Sequence, residues 1–100
     1  MVKKVKWSPE AFEDLKEITD YIKKDSPSYA VTVAEKILDA AKQIKKFPQA
    51  GRIVPEINKP EIREIFRYSY RIIYRIYDDF ILIIGIIHGK RMLDNIENRF

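Results

Sequence analysis

The side chains best suited to chemistry lie in the last third of the chain. Arg71 and Arg75 sit in the run Tyr70 to Tyr77, and His88, the only histidine, closes the run Phe80 to His88. A guanidinium is a planar fork that grips phosphates and carboxylates in fixed geometry. An imidazole titrates near neutrality and serves as acid or base. Together they describe a site that holds an anion and can move a proton. Metal chemistry is not expected, because one histidine, no cysteine and scattered carboxylates lack ligand spacing. Gly51 and Gly89 do not form a phosphate-binding loop, and no cofactor is expected.

The cations are unevenly chosen along the chain. All seven arginines follow Gly51, whereas ten of the twelve lysines precede it. The halves carry similar net charge and differ in the kind of cation. The lysine half reads as scaffold and the arginine half as site. The overall charge of +4 leans mildly toward anionic partners. With 46% hydrophobic and 34% charged residues in 100, one globular domain spanning 1–100 is expected. The absence of cysteine suits a reducing cytoplasm. Met1 to Lys4 is not followed by an apolar run, so no signal peptide is expected. Phe80 to Ile87 is too short to cross a bilayer, and no membrane partner is expected.

These residues need elements to position them. Val2 to Trp7 roughly alternates and suits a short strand. Ser8-Pro9-Glu10 starts a helix with a capping serine, a first-turn proline and an early acid. Phe12, Leu15, Ile18 and Ile22 follow at helical spacing. Ser26-Pro27 restarts the pattern, and Ala30, Val33, Ala34, Ile37, Leu38, Ala41 and Ile44 form a second stripe. The short break makes a helical hairpin, which Phe47-Pro48 ends. Gln49 to Pro60 has no period and reads as a loop. Strands are expected over Ile62–Arg67, Tyr70–Tyr77 and Phe80–His88, the last within the sheet because both its faces are apolar. A short helix over Met92–Arg99 is a further expectation. The order is β-α-α-β-β-β: an α+β fold with an antiparallel sheet of about four strands packed on an N-terminal helical hairpin.

A two-residue turn at Asp78-Asp79 sorts the final hairpin onto two faces. Tyr70, Ile72, Tyr74, Ile76, Ile81, Ile83, Gly85 and Ile87 are uncharged and belong against the helices. Arg71, Ile73, Arg75, Phe80, Leu82, Ile84, Ile86 and His88 form the other face, with Arg71 opposite Ile86 and diagonal to His88. A face both greasy and cationic marks a partner site, unless another element of the chain covers it. Arg71 and Arg75 have a structural alternative as partners of Glu64 or Asp79. An even count of residues in the turn before Tyr70 would turn Arg63 and Arg67 toward the helices; an odd count would set them beside Arg71.

The chain resembles the RelE/ParE superfamily of toxins from type II toxin–antitoxin systems. The motifs are W-S-P-E-A-F-E-D-L at Trp7–Leu15, F-P-Q-A-G-R at Phe47–Arg52, I-R-E-I at Ile62–Ile65, Y-R-I-I-Y-R-I at Tyr70–Ile76 and I-I-H-G-K-R at Ile86–Arg91. The resemblance implies a cytoplasmic growth inhibitor, associated with plasmid stabilisation and neutralised by an antitoxin in a hetero-oligomer. It offers two targets. ParE-like members inhibit DNA gyrase, and RelE-like members cut messenger RNA in the ribosomal A site. In a nuclease, Arg71 and Arg91 would contact phosphate and His88 would act as acid or base. The H-G-K-R ending and the lack of any tyrosine after Tyr77 favour the ParE-like branch. A degenerate member that only binds antitoxin is a third reading. Residues expected to meet a partner or nucleic acid are Arg63, Arg67, Arg71, Arg75, Lys90 and Arg91; those expected under an antitoxin are Ile73, Leu82, Ile84 and Ile86.

Overall fold

The computed structural model describes residues 3–89 and Arg99. The order is β1 (Lys4–Trp7), α1 (Pro9–Lys23), α2 (Pro27–Lys46), β2 (Arg52–Ile53), β3 (Ile62–Arg67), β4 (Tyr70–Ile76) and β5 (Phe80–His88). The expected helix over Met92–Arg99 lies outside the described residues, Arg99 excepted.

Both helices begin as the sequence requires. The Ser8 hydroxyl accepts the Ala11 amide at 3.0 Å, and the Ser26 hydroxyl accepts that of Tyr29 at 3.2 Å. A proline follows each cap in the first turn. Such caps typically contribute about 1 kcal/mol each. Of the expected apolar stripe of α1, Leu15, Ile18 and Ile22 pack against the core, and only Phe12 departs. Ala11 is buried, while Phe12 is 62% exposed. The cause is tertiary: the Ser8 amide donates to the Ile83 carbonyl at 3.0 Å and its hydroxyl to the Ile84 carbonyl at 3.2 Å. That draws the start of α1 against β5, where a small alanine fits. On α2 the buried residues are Ala30, Val33, Ile37, Ala40 and Ile44, whereas Leu38 is exposed.

The sheet has five strands in the order β1-β5-β4-β3-β2. β2–β3, β3–β4 and β4–β5 are antiparallel, but β1 runs parallel to β5. The sheet is therefore mixed, with one strand more than expected, because residues 52–53 of the presumed loop pair with Glu64 and Arg63. β5 is interior over Phe80–Ile83, where β1 covers its far side. Past Trp7 that side is capped by side chains. Asp14 Oδ2 accepts the Ile86 amide at 3.1 Å, and Ser8 and Arg99 donate to the Ile84 carbonyl. Arg99 also pairs with Asp14 at 2.6 Å.

The helix-facing core joins Ala11, Val33, Ile37, Ala40 and Ile44 to Ile65, Ile72, Tyr74, Ile81, Ile83 and Ile86. Burying an aliphatic side chain of this size contributes about 1.5–3 kcal/mol. Tyr74 is wholly buried yet satisfied: its hydroxyl donates to the Pro48 carbonyl at 2.7 Å and accepts the Gly51 amide at 3.1 Å. Gly51 has to be glycine, since a Cβ there would lie 2.5 Å from the Glu64 carbonyl oxygen. This contact ties the segment after α2 to the middle of the sheet.

Candidate functional site at the outer sheet face

One bulge decides which residues share a face. Near the Asp78-Asp79 turn the register is the expected one, with Ile76 opposite Ile81, Arg75 opposite Leu82 and Tyr74 opposite Ile83. The next pair is Ile73 with Gly85, so Ile84 is an extra residue on β5. A bulge of this kind moves every later side chain of the strand to the opposite face. Three expectations change. Arg71 lies opposite Ile87, not Ile86. Ile86 joins the helix-facing core and Ile87 the outer face. His88 pairs with Tyr70 on the helix side, ring against ring at 5.7 Å and 83°. Arg71 and His88 therefore point to opposite faces and do not share a ligand.

The outer face is not the open greasy surface that was expected. Ile73 and Ile87 pack with Val54 and Ile62 in a small second core, and Ile57 leans on it. The covering element is the segment after β2. Val54 accepts the amides of Ile57 and Asn58, and Asn58 takes the left-handed conformation at φ 57°. Asparagine tolerates that region better than most residues. Ile73, Ile84 and Ile86 are all buried and only Leu82 of the four remains half-exposed.

Arg71 is held inside a ladder of charges. Its Nε donates to Glu64 Oε1 at 2.7 Å, while Nη1 and Nη2 donate to the two oxygens of Glu56 at 2.8 and 2.9 Å. Glu64 Oε2 accepts from Arg52 Nε at 2.6 Å. The side chain of Glu64 is fully buried and that of Arg71 is 6% exposed. Hydrogen bonds donated by Arg71 hold the Glu56 carboxyl below its ordinary value, and acceptance of them by Glu56 holds the Arg71 guanidinium above its own. The structural alternative is what the geometry presents for Arg71: its partners are Glu64, as considered, and Glu56, from the aperiodic loop. No spacing signal in the sequence pointed to Glu56 or Arg52.

The other arginines divide clearly. The turn between β3 and β4 is Tyr68-Ser69, an even count, and Arg63 and Arg67 consequently face the helices. Arg63 donates to the Pro60 and Gly51 carbonyls at 3.0 Å each. Arg67 donates to the Phe66 carbonyl at 2.7 Å and reaches Gln43 of α2. Arg75 stays on the outer face with no hydrogen-bond partner for its buried Nε and no ion pair among the described residues. Asp79 does not pair with it. Lys90 and Arg91 lie outside the described residues. Among those described, no cluster of three or more histidines and carboxylates could hold a metal. No described helix is long and apolar enough to cross a membrane. An open concavity of about 570 Å³ lies elsewhere, between Lys3, Lys46, Phe47 and Ile76.

The fold is thus a helical hairpin laid on a mixed sheet, with β1 parallel beside the last strand. The ParE toxin model of type II toxin–antitoxin systems, parDE, matches residues 5–93, and the chain belongs to that family. No curated protein sequence matches it. Among solved structures, it is similar to the chromosomal ParDE system of P. aeruginosa at 22% identity and a TM-score of 0.74, covering 89% of this chain and 98% of that one. An E. coli RelE variant in the free state aligns over 99% of this chain and 94% of its own, at 15% identity and a TM-score of 0.69. The toxin–antitoxin complex RelBE2 of Mycobacterium tuberculosis gives 19% identity, a TM-score of 0.60, and coverage of 88% and 99%. At these identities the structural likeness speaks for the fold.

Proposed function

We propose that this ParE-family toxin acts in the cytoplasm by binding DNA gyrase, and that a cognate antitoxin neutralises it in a hetero-oligomer. The observation that carries this reading is the separation of Arg71 from His88. Cleavage of RNA needs an acid or base beside cations that meet the scissile phosphate. Here Arg71 is buried between two carboxylates, which would repel a phosphate, and His88 is on the opposite face. A protein that inhibits by docking needs no such convergence. The match to the ParE model supports the same branch. The neutralising partner is inferred from relatives solved as toxin–antitoxin complexes.

The test is gyrase supercoiling of relaxed plasmid with the chain in molar excess. Loss of supercoiled product is expected. Full supercoiling, together with A-site cuts in primer extension on translated messages, would assign the chain to the RNA-cleaving branch instead.

A further inference from the structure

Beside the Asp78-Asp79 turn, a row of outer-face side chains crosses three strands. Lys6 of β1 is aligned with Leu82 of β5, and Leu82 faces Arg75 of β4. The neighbouring row holds Lys4, Phe80 and Tyr77. The two rows interlock. Phe80 and Tyr77 stack with centroids 4.7 Å apart and planes inclined by 14°. The Lys6 amine lies 4.6 Å over the Phe80 ring, and the Arg75 guanidinium 5.1 Å from the Tyr77 centroid. The rings steer both cations but give them no oxygen acceptor. Arg75 has no ion pair among the described residues; its Nε is itself buried, so a docking carboxylate would meet the outer guanidinium nitrogens.

We propose that Lys6, Leu82 and Arg75 form the docking site for an amphipathic helix of a partner protein, one that presents two acidic residues seven apart with an apolar residue between them. This rests on reading the chain as a toxin gripped by a protein antitoxin, and it specifies the charge pattern of the grip. The spacing fits. Two inter-strand steps separate Lys6 from Arg75 by about 10 Å, and seven helical residues rise about 10.5 Å. A residue three or four along the same helix face falls between them, over Leu82.

The site favours protein over nucleic acid. Base stacking needs free ring faces, and here the Phe80 and Tyr77 rings are stacked on each other, with Lys6 against one and Arg75 against the other. Asp78 and Asp79 are exposed at the adjoining hairpin tip. A continuous phosphate backbone would meet their charge, whereas a helix can bring two carboxylates and no others.

The experiment uses the full chain and a fluorescein-labelled stapled helical peptide with Glu at positions i and i+7 and Leu at i+4. Anisotropy titration should show binding that weakens as salt rises. Affinity should fall about tenfold or more, equivalent to about 1.4 kcal/mol, in the Lys6→Gln/Arg75→Gln double variant. The same loss is expected when both peptide glutamates become glutamine. Lys36→Gln on α2 should bind as the parent does. Should the double variant misfold by circular dichroism, the exposed Lys6→Gln substitution alone must still weaken binding. The proposal is overturned by no binding to the parent, by equal binding to a folded variant, or by an oligothymidylate that binds through Lys6 and Arg75 more tightly than the peptide. Growth arrest on expression tests the toxin reading separately, so arrest without peptide binding removes the docking site alone.

Discussion

Arg71 and Arg75 stand on one strand and one face of the sheet, one helical-looking step apart in sequence, and have opposite fates. Around Arg71 the face is closed: residues 54–57 fold over Ile62, Ile73 and Ile87, and Glu56 and Glu64 hold the guanidinium. Around Arg75 the cross-strand neighbours are Ile62 and Leu82, the guanidinium lies against the Tyr77 ring, and no ion pair forms among the described residues. The difference teaches that an arginine's role is set by which carboxylates the fold brings to it. A buried ion pair is costly to desolvate and makes sense only when its members are fully bonded. Arg71 meets that condition through three donors on two acids. Arg75 does not, and it remains available to a partner.

The contrast can be broken most severely at Glu64. Glu64→Ala leaves Arg71 buried with one partner gone, and should cost about 3–5 kcal/mol of stability. Urea unfolding followed by circular dichroism would read it. A loss below about 1 kcal/mol would mean that the ladder relaxes into water and the closed half is not closed.

Glu56 sharpens the comparison with pH. Its folded-state carboxyl lies below the ordinary 4.5, because Arg71 donates to it. The sign follows: the carboxylate contributes stability above its unfolded value, and that contribution is lost as pH falls through the lowered folded value. The Glu56 side chain is 45% exposed, so screening limits the effect to about 1 kcal/mol. Glu56→Gln should therefore be less stable than the parent at neutral pH and converge with it in acid below the ordinary carboxylate range. Parallel unfolding midpoints across that range would count against the pair.

The smallest stability effect is expected at Arg75. Arg75→Gln removes a cation that has no acceptor, so stability should stay within about 0.5 kcal/mol of the parent. A large loss would show that stacking on Tyr77 holds the Arg75 half together as firmly as the ladder holds the closed one.

Much of the architecture was legible because it rests on local chemistry. Ser8-Pro9 and Ser26-Pro27 mark the helix starts, the i, i+3, i+4 apolar spacing marks α2, and β-branched and aromatic runs mark β3 to β5. The two-residue turn at Asp78-Asp79 also held, with the Tyr77 amide donating to Phe80 at 2.9 Å. The candidate site was less legible. Lys4 and Lys6 read as scaffold because nothing local says that β1 will lie parallel beside β5. Glu56 read as loop because its partner is fifteen residues away on another strand.

The sequence by itself determined the type and order of the elements, the cations available to the outer face, and the resemblance to RelE/ParE toxins. Tertiary structure alone decided which of those cations are open. A single extra residue at Ile84 sends His88 and Ile86 to the helix side and Ile87 to the outer side. A strand has a period of two, so one inserted residue reverses every assignment beyond it. Such a bulge forms where β1 ends and Ser8, Asp14 and Arg99 cap the exposed edge, contacts between residues up to 85 positions apart.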